Sequence, residues 1–186
     1  MLNEALLFLL NVIVQSFAAI LLLRFHLQWL RAPLRNPVGE FVMAFTDFLV
    51  LRARRYIPSV RGYDSATLLA AWLAEALYLF GVLWIEVGHA FPLAGLLVLS
   101  AVKLLTISVY LLMGAVFVQA ILSWVNPHSP LASVLNAITY RFLQPLRRIV
   151  PMLGNVDLSS MLLLIICQLI LMVPIAMLER AASSLF

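Results

Sequence analysis

Four long apolar runs dominate the chain, with two stretches between them in which charged and polar positions return at regular spacing. The runs cover about Ala5 to Leu23, Ala66 to Ile85, Leu93 to Phe117 and Ser160 to Met177. Each is close to the ~20 residues that an α-helix needs to cross a bilayer, so the pattern predicts four spans. Between the first two, Glu40, Asp47 and Arg54 recur every seven residues within Pro37 to Tyr56, while Phe41, Phe45, Phe48 and Leu49 fill another face. That period predicts an amphipathic helix lying in, or dipping into, the cytoplasmic interface. Pro37 suits its first turn, where a backbone N–H would be unpaired anyway.

Displaced by 93 residues, the chain matches itself: Pro37 with Pro130, Ala44 with Ala137, Thr46 with Thr139, Arg54 and Arg55 with Arg147 and Arg148, Pro58 with Pro151, Asp64 with Asp157. Such self-similarity marks an internal duplication, with residues 1–93 as one repeat and 94–186 as the second, together one membrane domain. Each repeat is span, interfacial helix, span. Two spans return the chain to its starting side, so the repeats are expected to be parallel and not inverted. In the second copy the polar stripe becomes Ser133, Tyr140 and Arg147, and Pro145 is expected to end or kink the helix near Phe142. The predicted fold class is an all-α membrane protein: four transmembrane helices in two tandem parallel repeats, each with an amphipathic interfacial helix between its spans.

Composition agrees with a membrane location: 65% of the residues are apolar and 11% charged. The net charge of +4 matters through its placement. Seven of the twelve Lys/Arg residues lie between the first two spans, and Arg141, Arg147 and Arg148 lie between the last two. By the positive-inside rule both connections are cytoplasmic and both termini periplasmic. Glu4 stands where a secretory signal would carry positive charge, so the first run is expected to remain as a span. Cys167 is alone in an apolar run, which leaves no partner for a disulfide or thiolate site and makes it a small core residue. His26, His89 and His128 show no metal-ligand spacing, and there is neither a glycine-rich phosphate loop nor a basic tail suited to nucleic acid. No cofactor is expected.

A few polar residues inside or beside the spans stand out. Glu75 and Lys103 lie fourteen positions either side of His89, which puts them at matched depth in antiparallel helices, near mid-bilayer at about 1.5 Å per residue. Two readings stand: a static ion pair that fixes helix register, helped by Gln15, Thr106 or Ser108, or part of an ion or proton path. Glu75 maps onto Gln168 in the second repeat, and polar groups at matched positions are expected to face the bundle interior, so Glu75, Lys103 and Gln168 form a candidate intramembrane cluster. Asp64 and Asp157 each precede an apolar run, as helix caps or as salt-bridge partners of the arginines in their own copy. Arg54, Arg55, Arg147 and Arg148 are either topology-setting cations or a two-fold cradle for anionic lipid or an acidic partner.

The segment Thr46, Asp47, Phe48, Leu49, Val50 leading to Arg54, Arg55, Tyr56, Ile57 and Pro58, with its echo from Arg141 to Pro151 and then Gly154 through Asp157 to Ser159, resembles the bacterial YggT family. The resemblance spans both copies; it departs at Arg52 and Ser160, where proline is common in that family. It implies an inner-membrane protein without known enzymatic activity, whose relatives are associated with osmotic or potassium tolerance, with cell division and nucleoid distribution, and in plastid cousins with cytochrome assembly. The expected function is then a non-catalytic membrane-organising or osmotic-stress-tolerance factor. The alternatives are an ion-transport or channel-related protein for potassium or protons, using Glu75, Lys103 and Gln168, and a cell-division or membrane-complex assembly factor. A conducting path needs a polar lining, and the fourth span offers only Gln168 near its middle, which favours the organiser unless several protomers build a pore together. Expected partners are membrane lipids, anionic ones included, and a membrane protein or second copy of the chain.

Overall fold

The computed structural model describes residues 1–60, 62–86, 88, 92–126, 129–150 and 157–185. Six helices follow one another: α1 (Leu2–Trp29), α2 (Pro37–Ala53), α3 (Ser65–Glu86), α4 (Leu93–Val125), α5 (Pro130–Arg147) and α6 (Leu158–Ser183). Four of them, α1, α3, α4 and α6, are long and apolar enough to cross a membrane, at 28, 22, 33 and 26 residues. The described residues contain no strand beyond an isolated antiparallel bridge between Val60 and Tyr63. The chain is all-α, and each half runs long helix, short helix, long helix.

Starting points keep the 93-residue offset: α2 begins at Pro37 and α5 at Pro130, and α3 begins at Ser65 where α6 begins at Leu158. Asn36 and Ser129 cap the two short helices by accepting backbone N–H groups of their first turns, Val38 and Gly39 in one case and Ala132 in the other. The buried stripes match as well: Val42, Thr46 and Val50 in α2 against Leu135, Thr139 and Leu143 in α5. Both threonines donate to the carbonyl four residues back, at 2.5 Å to Val42 and 2.9 Å to Leu135. Gly39 must be glycine, because a Cβ there would collide with the Leu34 backbone where the incoming loop crosses the first turn of α2.

The helices run past several of the expected bounds, α1 by six residues beyond Leu23 to Trp29. Helix α4 runs eight residues past Phe117, and α6 continues beyond Met177 to Ser183. It gets there through a π-helical turn, Leu171–Ile175, whose wider hydrogen-bond spacing accommodates Pro174. Pro145 neither ends nor breaks α5, which continues to Arg147. Only two helical residues follow it, and the Arg141 carbonyl it leaves without a donor belongs to an exposed residue.

Helix α1 ends at a left-handed Arg31 (φ 54°), with the Ala32 N–H returning to the Leu27 carbonyl at 2.8 Å. Helix α3 packs between α1 and α4, while α6 packs on α4 and α5. One apolar cluster joins Leu21 and Leu22 of α1 to Val50, Ala70, Ala71 and Leu104; another joins Leu27, Leu30 and Val42 to Val134, Leu135 and Ile138, binding the first half to the short helix of the second. The Trp72 indole N–H donates to the Leu97 carbonyl at 3.2 Å, pinning α3 to α4.

Candidate functional site

The arginine-rich ends of the short helices are built twice on one plan. Arg54 follows directly on α2 and reaches Asp64 at 2.5 Å; Arg147, the last residue of α5, reaches Asp157 at 2.7 Å. Each aspartate at the same time caps the long helix that follows. Asp64 accepts the Thr67 backbone N–H at 3.3 Å and the Thr67 hydroxyl; Asp157 accepts the Ser159 backbone N–H at 3.0 Å and the Ser159 hydroxyl. Cap and salt bridge, alternatives in the sequence, coexist, because a carboxylate has two oxygens with lone pairs to share. In the first half Gln28 of α1 joins in: with its amide turned to fit, the NH2 donates to Asp64 at 2.8 Å and the oxygen accepts from Arg54 at 3.0 Å.

Burial alone would push the Asp64 carboxyl up, but hydrogen bonds from Arg54 and Thr67 and the guanidinium charge outweigh it and hold it below its ordinary value. Asp157 follows the same balance: burial raises it, while Ser159 and Arg147 together bring it lower. Both are ionised near neutrality and hold Arg54 and Arg147 in place. Arg55 and Arg148, the neighbouring cations, are exposed and make no ion pair among the described residues. The candidate cradle therefore separates into two structural arginines and two free ones.

Of the candidate intramembrane cluster, Glu75 and Lys103 lie near enough for the ammonium charge to act on the carboxylate, but no hydrogen bond or salt bridge joins them, and Gln168 stands apart. Lys103 Nζ lies 3.0 Å from Glu179 Oε1, and the Thr106 hydroxyl donates to the same oxygen at 3.2 Å. Matched depth alone did not decide the partner: Lys103 and Thr106 lie three residues apart on one side of α4, and that side meets the end of α6. Glu75 is fully buried between α1 and α4, one turn beyond Ala71, and neither carboxylate oxygen has a hydrogen-bond partner among the described residues. Gln168 faces outward, correcting the expectation that it points into the bundle, since the buried stripe of α6 passes through Leu163 and Cys167 instead. Cys167 sits in that core with Val116, Leu143 and Leu163.

Two residues lay outside the sequence reading of the site. Glu179 lies past the end of the apolar run, although its match to Glu86 under the 93-residue displacement was a usable signal. Arg24, counted as a topology residue, is 3% exposed and donates to Thr46 at 2.6 Å and Asp47 at 2.7 Å, clamping α1 to α2. His89, His128, Pro151 and Gly154 lie outside the described residues. Among the described ones, no group of three His, Cys, Asp or Glu side chains is placed to hold a metal ion.

A cleft of about 1360 Å³ runs between the halves, with walls from α1 (Leu22, Phe25), α3 (Trp72), α4 (Leu104) and α6 (Ile166, Ile170). Its lining is almost wholly apolar, which suits hydrocarbon.

Comparison with known proteins accords with this duplicated architecture. The family described as CCB3/YggT matches the chain in two segments, residues 3–85 and 98–178, one in each half. Among individual relatives, the "Uncharacterized protein YggT" of Escherichia coli K12 is 34% identical over 188 residues, covering 96% of this chain and 93% of its own. Uncharacterized proteins of Vibrio alginolyticus and Pseudomonas aeruginosa are 33% and 32% identical, covering 85% and 94% of this chain and 86% and 90% of their own. No solved structure matches significantly. With both halves matched and relatives aligned along nearly its whole length, the chain belongs to the CCB3/YggT family.

Proposed function

We propose that this protein is a non-catalytic organiser of the bacterial inner membrane that holds anionic phospholipid at two equivalent cytoplasmic points and contributes to tolerance of osmotic stress. The observation that carries this reading is the division of labour within each arginine pair. Arg54 and Arg147 are spent on Asp64 and Asp157, which fixes the backbone so that Arg55 and Arg148 stand exposed at the same place in each half. A guanidinium so placed suits a lipid phosphate. Phe41, Phe45 and Phe48, each about half exposed on α2, suit burial among acyl chains beside it. The reading takes residues 1–93 and 94–186 as the two repeats, with the short helices cytoplasmic and both termini periplasmic. To test it, protein extracted from bilayers of mixed zwitterionic and anionic phospholipid is assayed for co-purified anionic lipid. Arg55→Gln with Arg148→Gln should retain several-fold less; equal retention overturns the cradle.

A second reading, ion or proton movement, is favoured by one observation: the buried Glu75 carboxylate without a hydrogen-bond partner among the described residues. Flux of potassium and protons into liposomes, compared for wild type, Glu75→Gln and Lys103→Met, decides it. Absence of flux in the wild type removes autonomous conduction.

A further inference from the structure

We propose that copies of this chain associate head to tail in the membrane, the outward face of α6 in one copy packing on α1 of the next, with Gln168 seated in a hollow to which Asn11, Gln15, Ser16 and Tyr110 contribute polar groups. Helices α3 and α6 hold the same place in their halves but have different neighbours. Helix α3 is flanked by two spans, α1 of its own half and α4 of the following half; among the described residues α6 has α4 as its only packed span. With two flanking spans Glu75 is fully buried, and at the matching position Gln168, with one, is exposed. Around it Met161, Ile165, Leu169 and Met172 are exposed too, at 58%, 56%, 54% and 64%. The repeat identifies the missing neighbour. What covers α3 is the first span of the next repeat, and the first span following the second repeat, in a row of copies, is α1 of another chain.

Helix α1 has a place for such a visitor. A hollow of about 280 Å³ lies between α1 and α4, and Asn11, Gln15, Ser16 and Tyr110 contribute its polar lining. Neither these four side chains nor Gln168 makes a hydrogen bond among the described residues. The depths agree. Gln168 lies eleven residues beyond Asp157 as Glu75 lies eleven beyond Asp64, and Glu75 is one turn past Ala71, which clusters with Leu21 and Leu22. Gln15 and Ser16 lie one to two turns from those leucines in the same direction. An amide offers both donors and an acceptor, and in hydrocarbon no water competes for them, so a carboxamide entering a hollow whose mostly apolar wall carries two amides and two hydroxyls finds matching partners. The contact is heterologous: it uses α6 of one copy and α1 of another, leaving each copy able to bind on both sides.

The test places a photo-crosslinking benzophenone residue at Ile165, on the same α6 face, leaving Gln168 native, and uses Leu73, exposed on α3, as the background position. Protein in lipid vesicles is irradiated and the dimer band mapped by mass spectrometry. The expected product joins α6 of one chain to α1 of another. Gln168→Leu, and separately Asn11→Leu with Gln15→Leu, should lower its yield about 3- to 15-fold on lipid dilution, with variants compared at equal helical content by circular dichroism. No dimer above background, a link from α6 to α6, a product with lipid or another polypeptide alone, or an unchanged yield in Gln168→Leu overturns the proposal.

Discussion

Lys103 is bonded to Glu179 at 3.0 Å, so the single lysine of the chain ties the third span to the last turns of the fourth. With both side chains about one-third exposed, the pair is a half-buried tie, and Thr106 supplies a further hydrogen bond to the same carboxylate. Glu179→Gln should cost about 1–3 kcal/mol in denaturant unfolding from micelles, the usual range for hydrogen bonds to charged groups. The exchange of charges, Lys103→Glu with Glu179→Lys, should recover part of that loss, while Lys103→Met with Glu179→Met should lie closer to wild type than either single change.

Glu75 predicts the opposite sign. Its oxygens are fully buried and make no hydrogen bond among the described residues, so Glu75→Leu removes a desolvated polar group and should raise stability by about 1–3 kcal/mol. A melting temperature below wild type would mean that a bound ion or water satisfies the carboxylate in the membrane. A stabilised variant that no longer protects cells in hyperosmotic medium would mark Glu75 as functional.

The aspartate ties give stability a definite pH dependence. Both carboxyls titrate below their ordinary value in the folded protein, so their contribution is complete above the unfolded range of about pH 4 and is lost as pH falls through the lower, folded values. Thermal scans from pH 7 down to 3 should therefore show a falling melting temperature. Asp64→Asn with Asp157→Asn keeps both caps, since asparagine also accepts from the helix N-terminus, but should flatten that slope. A slope equal to wild type would assign acid sensitivity to other groups.

Arg24 should be the most costly of the arginines to remove. Arg24→Met leaves Thr46 buried without its donor and releases Asp47; with Asp47 partly exposed, a loss of about 2–3 kcal/mol is expected, below the ~3–5 of a fully buried pair. Arg24→Lys should recover more of the loss than Arg24→Met does, because both hydrogen bonds leave from the single nitrogen Nη1 and one ammonium has donors for both acceptors. Unfolding midpoints of the two variants in micelles check both statements.

The spans, the short helices and the 93-residue offset were readable because hydrophobic period and proline placement are local properties of the chain. The two aspartate ties were readable as well, since their partners lie ten residues apart within one copy. The partner of Lys103 was not. Counting from a turn fixes depth along antiparallel helices but says nothing about which way a side chain points around its axis. Glu75 and Lys103 share a depth and a charge interaction, yet the ammonium gives its hydrogen bond to Glu179. Gln168 escaped for a related reason: a polar residue matched by a repeat is buried only if its copy has the same neighbours, and α6 lacks the span that covers α3.

The π-helical turn at Leu171–Ile175 makes the fourth span behave as two segments turned against each other. One residue more or less in an α-helix swings everything beyond it by about 100°. Deleting a single residue there would restore a uniform pitch and carry Glu179 away from Lys103, while leaving Gln168 and Cys167 where they are. Length at this point thus sets orientation: insertions and deletions within these five residues steer the end of the span as strongly as a change of side chain would.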